Sequence, residues 1–217
     1  PCDVEKRSKP DWDLNVSALS EDTQIDNYDT FVSELRMRTA EIRDVPVETL
    51  LDFFDSLAVS WLTDSTGRFL NSFPGFGINF LVSFLRKPNL TNLLQQSLNG
   101  DPGFLDNFVE IPELRKHYMA HPRGVITHWL AGNVPILGMI SLVQGIISKN
   151  LNVIKLPKEN GLVLPCMAAQ IAEYEFRTED VFLRGADILK YCLFVYCDKD
   201  DREAQTTLSV NCDVRVA

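Results

Sequence analysis

Gly124–Pro157 reads GVITHWLAGNVPILGMISLVQGIISKNLNVIKLP, the pattern of a strand, a helix and a second strand. Val125–Leu130 is a short apolar run rich in β-branched and aromatic residues, which predicts a strand. Ala131-Gly132-Asn133-Val134 breaks the run, and Pro135 stands where a helix tolerates proline, in its first turn. Pro135–Ser148 has helix length, and Asn152–Leu156 predicts the next strand. Gly124–Ser148 lacks Asp, Glu and Lys and is long enough for a membrane span, but His128, Asn133, Pro135 and Gln144 interrupt it. A strand followed by a buried helix accounts for the stretch.

The same alternation continues downstream. Gly161–Tyr174 predicts a helix, Leu193–Cys197 a strand, Asp201–Asn211 a helix and Val214–Ala217 a strand. Four parallel strands joined by crossover helices predict an α/β fold, a doubly wound Rossmann-like sheet. The sequence stops on a strand, so the expectation is an incomplete sheet whose edges need covering, with homo-oligomerisation one way to do it.

Upstream, the periodicity is helical. Tyr28, Phe31, Leu35 and Met37 fall near helical spacing, and Pro46 opens a run containing Leu50, Leu51, Phe53, Phe54, Leu57, Trp61 and Leu62. Phe73-Pro74-Gly75-Phe76-Gly77 is a breaker, Pro88-Asn89 predicts the cap of a helix over Leu90–Leu98, and Asn99–Gly103 predicts a turn. The aromatic residues at helical spacing read as core rather than as a ligand groove. Three regions follow: a polar lead-in over 1–25, a helical region over 26–111 and the α/β region over 112–217.

With 217 residues, a formal charge of −9 and a pI near 4.8, the chain lacks the clustered cations of a nucleic-acid binder. An anionic cofactor would need local donors. Five scattered cysteines without CxxC spacing, and no signal-like opening, predict reduced thiols in the cytoplasm. His117, His121 and His128 have no acidic or thiol companions at metal spacing. Hydrolase elbows, phosphate-binding loops and the GxGxxG fingerprint do not occur.

In an open parallel sheet, ligands bind beyond the carboxyl ends of the strands. Gly132 there permits close backbone approach, and Asn133 can present an amide donor to developing negative charge. Lys155, at the end of the next strand, can hold a ribose hydroxyl or a phosphate.

Together these residues resemble the cofactor domain of the aldehyde dehydrogenase superfamily, in which a strand ending in Asn-x-Pro leads through a helix to a strand with a terminal lysine. The turn between them is Lys149-Asn150 here. His128–Pro135, Asn150–Pro157, Phe194–Asp198 and Asp213–Ala217 are similar to the long-chain acyl-CoA reductases of the LuxC type. The resemblance runs from Pro122 to the end. It implies that a cysteine thiolate takes the acyl group from a fatty-acyl-CoA and that a reduced nicotinamide delivers hydride to release the aldehyde.

It also implies roles for Asn133 as oxyanion donor, Lys155 as ribose contact, and Ala131 and Gly132 as strand-end neighbours of the cofactor. Where the superfamily places an acidic residue three positions after the lysine, this chain has Lys158, with Glu159 beside it. A cation there favours a 2′-phosphate, so the expectation is NADPH over NADH. The family's nucleophilic cysteine belongs to a separate catalytic domain, and none of Cys166, Cys192, Cys197 and Cys212 has that context. The 217 residues are therefore expected to be inactive alone. The competing readings are another aldehyde or semialdehyde dehydrogenase and a non-catalytic binding or assembly module.

Overall fold

The computed structural model describes residues 16–18, 32–33, 35–37, 39–198 and 200–217. Tyr28 and Phe31 lie outside them. Along the chain the strands are β1 (Val16–Ala18), β2 (Val109–Ile111), β3 (Lys116–Tyr118), β4 (Val125–Trp129), β5 (Leu151–Leu156), β6 (Glu175–Arg177), β7 (Phe182–Arg184), β8 (Cys192–Tyr196) and β9 (Val214–Val216). The helices are α1 (Thr39–Arg43), α2 (Val47–Thr63), α3 (Arg68–Ser72), α4 (Ile78–Phe84), α5 (Lys87–Ser97), α6 (Pro135–Ile147), α7 (Val163–Ala172), α8 (Gly185–Leu189) and α9 (Arg202–Val210).

The main sheet has the order β1-β8-β5-β4-β9, and every pairing in it is parallel. The four expected strands are all present. A fifth, β1, emerges from the polar lead-in and pairs with β8, whose edge it covers. Two short antiparallel hairpins, β2–β3 and β6–β7, stand outside the main sheet, their three-residue strands too short to show a period.

Strand alternation gives each face its own core. Ile154 and Phe194 join α6, α7 and the helical region in one apolar cluster. Val125, Val153, Leu193 and Val195 face the other way, against Ala204 and Leu208 of α9 and against Ile42. Covered on both faces, the strands read as continuous apolar runs. The helical region packs directly onto the first face: Phe53 meets the rings of Tyr174 and Phe176 edge-on, and Ser56 Oγ lies 2.6 Å from Tyr174 Oη.

Phe53, Phe54, Phe69 and Phe73 are buried, so these aromatics are core. Leu62 and Met37 are exposed instead, Leu62 lying off the buried stripe of α2. The fifth helix starts at Lys87, earlier than expected. Pro88 sits in its first turn, where its missing N–H loses no bond.

Helix α6 ends in a paired-bond cap: Lys149 N donates to Ile146 O at 2.8 Å and Asn150 N to Gly145 O at 3.0 Å. Lys149 takes the left-handed position at φ +61°, where glycine is usual. The Asn150 side chain then accepts from the Arg123 and Gly124 amides at 2.7 and 3.1 Å, fixing the entry to β4.

Candidate functional site

Register brings the expected residues to one sheet edge. Trp129 at the end of β4 lies beside Lys155 at the end of β5, and the loops that follow are packed together. A Cβ on Gly132 would sit 2.8 Å from the Glu159 carbonyl oxygen and 3.2 Å from Pro157 Cβ. Only glycine fits that contact without displacing backbone. Asn160 Nδ2 donates to Gly132 O at 3.0 Å, tying the two loops a second time.

Asn133 and Ala131 are exposed on this edge. An asparagine just ahead of a helix commonly caps it, but the N-cap of α6 is Val134 and no side chain caps the helix. Among the described residues the Asn133 amide makes no hydrogen bond, so its donors are uncommitted at the positive end of α6.

The two lysines occupy different surroundings. Lys155 is half-buried and shares the α9 side of the sheet with Trp129, Val195 and Cys197. Burial raises the Cys197 thiol pKa, the Lys155 charge opposes this, and Asp201 and Asp198 reinforce it. Lys158 is exposed and lines a cleft of ≈ 440 Å³ with Phe73, Phe76, Leu162, Val163 and Cys166. No ion pair engages Lys158 among the described residues.

Strand order exposes a further feature. From β4 to β5 to β8 the chain moves one way, with α6 and α7 on one face. It then crosses back by α9 on the other face to place β9 outside β4. The order therefore reverses between β4 and β9, the switch point where such sheets take their ligands. A cleft of ≈ 680 Å³ lies there, lined by Trp129, Arg202, Gln205, Thr206, Ser209 and Arg215, among others. Arg215 Nη1 donates to Ser209 Oγ. Arg202 has no ion-pair partner among the described residues. Sequence reading missed Trp129, Arg202 and Arg215; the usable signals were a strand-final tryptophan and an arginine opening α9, the crossover helix after β8.

Beneath the edge lies a buried polar chain. His128 Nδ1 is 2.7 Å from Ser141 Oγ, and His128 Nε2 is 3.0 Å from Asn152 Oδ1. Asn152 Nδ2 donates to Asn150 O at 2.8 Å. The Asn152 oxygen must then accept, which assigns the proton to Nε2 and leaves Nδ1 to accept from the Ser141 hydroxyl. Burial depresses the His128 pKa, partly opposed by the bond to Asn152.

Cys192 is fully enclosed and burial pushes its thiol pKa strongly upward, so neither it nor Cys197 is primed as a nucleophile. Among the described residues there is no group of three or more His, Cys, Asp or Glu that could hold a metal ion, and no helix long and apolar enough to cross a membrane.

A family model described as "Acyl-CoA reductase (LuxC)" matches residues 42–217. That span takes in α2 to α9 and β2 to β9, with both clefts. No curated protein matches the chain.

Proposed function

The chain belongs to the acyl-CoA reductase (LuxC) family, and from that premise we propose that its sheet edge holds NADPH for reduction of a long-chain fatty-acyl-CoA to the aldehyde. The observation that carries this reading is the cleft at the switch point, which gathers Trp129, Arg202 and Arg215 next to Lys155 in a chain of net charge −9. That donor set fits a phosphorylated dinucleotide. Arginine forks pair with phosphate oxygens, and an indole face accepts a planar base.

In this reading Lys155 holds a ribose hydroxyl, Ala131 and Gly132 border the cofactor, and Lys158 favours the 2′-phosphate. A bound reduced nicotinamide supplies the hydride. A cysteine thiolate of the separate catalytic domain, none of Cys166, Cys192, Cys197 and Cys212, attacks the thioester carbonyl carbon, and the bond to the CoA sulfur breaks. The hydride so supplied would reduce the enzyme thioester at the same carbon, freeing the thiolate and leaving the aldehyde. The Asn133 amide donates to the carbonyl oxygen as negative charge develops on it. The reaction belongs in the cytoplasm in this reading, where the thiols of Cys166 and Cys212 persist. Phe108, Leu114 and Tyr118, exposed on and beside the β2–β3 hairpin, suit self-association.

Titration of the purified chain with NADPH, followed by calorimetry, tests the site. Binding that weakens about tenfold in Lys155→Ala, a loss of about 1.4 kcal/mol, is the expected result. Equal binding by wild type and Lys155→Ala would remove the site from this edge.

A further inference from the structure

We infer that His128 is a positioning residue, which sets where α6 begins and therefore where Asn133 is held. The inference rests on the proposed role of Asn133 as oxyanion donor.

His128 is 1% exposed and Asn152 0% exposed, at an interface otherwise built from hydrocarbon. Burying these two polar side chains there is costly unless each is matched, and here each is. The hydrogen bonds run in one sense, from the Ser141 hydroxyl to Nδ1, from Nε2–H to the Asn152 oxygen, and from the Asn152 amide to the Asn150 carbonyl. They span α6, β4 and β5. A slide of α6 by one residue, about 1.5 Å, with its turn of about 100°, would take Ser141 away from the ring. The helix is also seated by shape: a Cβ on Gly145 would lie 1.9 Å from Asn152 Oδ1, so α6 rests its backbone on the same asparagine that His128 engages.

Ser141 lies six residues into a helix that begins at Pro135, two residues after Asn133. A helix of this length transmits position as a rod, and proline fixes φ at its first residue. Holding Ser141 therefore holds Val134 and Asn133, whose own side chain has no bond to hold it. His128 touches neither substrate nor cofactor in this scheme.

Hydrogen exchange on the purified chain tests it, with His128→Leu removing both ring bonds, Ser141→Ala removing one from the helix side, and His128→Gln offering an amide in place of the ring. Exchange of the amides between residues 130 and 138, where Pro135 has none, should rise about tenfold in His128→Leu and Ser141→Ala, recover substantially in His128→Gln, and stay at the wild-type level in β8 and α9. A uniform rise across the sheet, or no rise, would overturn positioning. Should His128→Leu fail to fold, the half-buried Ser141→Ala carries the same test.

Turnover in the acyl-reducing protein separates this inference from the reading beneath it, because Ser141→Ala should lower kcat and leave the cofactor KM unchanged. If exchange at 130–138 rises while both Asn133→Ala and Ser141→Ala keep full kcat, positioning stands and the oxyanion role falls. If Asn133→Ala lowers kcat and Ser141→Ala changes neither exchange nor kcat, positioning falls alone.

Discussion

The Lys149 ammonium, 1% exposed at its side chain, pairs with the Asp106 carboxylate beneath the helical region and donates to the Arg43 carbonyl oxygen at 3.0 Å. Asp106 also accepts the Val47 amide at 3.0 and 3.2 Å, so one carboxylate caps α2 and anchors the end of α6. A lysine occupies the left-handed cap position because its side chain has this second task.

Removing one partner of a buried pair strands the other, so Lys149→Met should cost about 3 kcal/mol in denaturant unfolding. Lys149→Gly should cost about 1 kcal/mol less, since it relieves the left-handed backbone. A double variant, Lys149→Met with Asp106→Leu, should lose less than the sum of the two single losses. Strict additivity would show that the pair is not coupled.

Acid should weaken the fold through His128. Its pKa in the folded protein lies below the ordinary 6.5, so the unfolded chain binds more protons in the interval between the two values. The stability contributed by the neutral ring is complete above that ordinary value and is lost as pH falls through the folded one. Among the described residues no carboxylate bonds to the ring, whose partners are Ser141 and Asn152, so an added proton gains no counter-charge there. Thermal unfolding from pH 7 downward should show a steeper decline for wild type than for His128→Gln. Parallel curves would remove His128 as the cause.

Two glycines on α6 should differ sharply on substitution. Gly145→Ala gains about 1 kcal/mol of helix propensity but drives a methyl into Asn152 Oδ1, an overpacking of about 3 kcal/mol, so net loss is expected. A Cβ on Gly138 meets the Leu130 side chain, 2.6 Å from a methyl that can move aside, so Gly138→Ala should cost less. Unfolding midpoints of the two variants check the order.

Lys158→Glu should shift the ratio of NADPH to NADH dissociation constants about tenfold toward NADH, and Arg202→Ala, in the other cleft, should weaken both cofactors alike. Calorimetric titration with both cofactors measures each. A ratio unchanged in Lys158→Glu would place the 2′-phosphate away from that cation.

Much of this architecture is legible in short stretches of sequence. Strands β4, β5, β8 and β9 and helices α6, α7 and α9 each carry a complete local signal, and Gly132, Asn133 and Lys155 stand at their ends. Pairing partners are a different matter. That β9 lies outside β4, and so opens a cleft beside Trp129, follows from long-range strand order. The Lys149–Asp106 pair spans 43 positions, and the Lys149-Asn150 turn gives no sign of it. Valine and alanine in β1 stand in a polar segment too short to announce a strand, and pairing with β8 supplies what propensity does not.

The glycines at 138 and 145 lie seven positions apart, nearly two turns, and so on one side of α6. Gly145 is the notch that lets the helix backbone drop onto Asn152 of β5, while Gly138 faces the Leu130 side chain beyond the end of β4 and Leu164 of α7. Seated on Asn152 and tied to His128 through Ser141, the helix resists rolling and sliding against β4 and β5. Any closing movement made around a substrate must therefore carry α6, β4 and β5 together as one piece, and the bending has to be taken up in the loops beyond them.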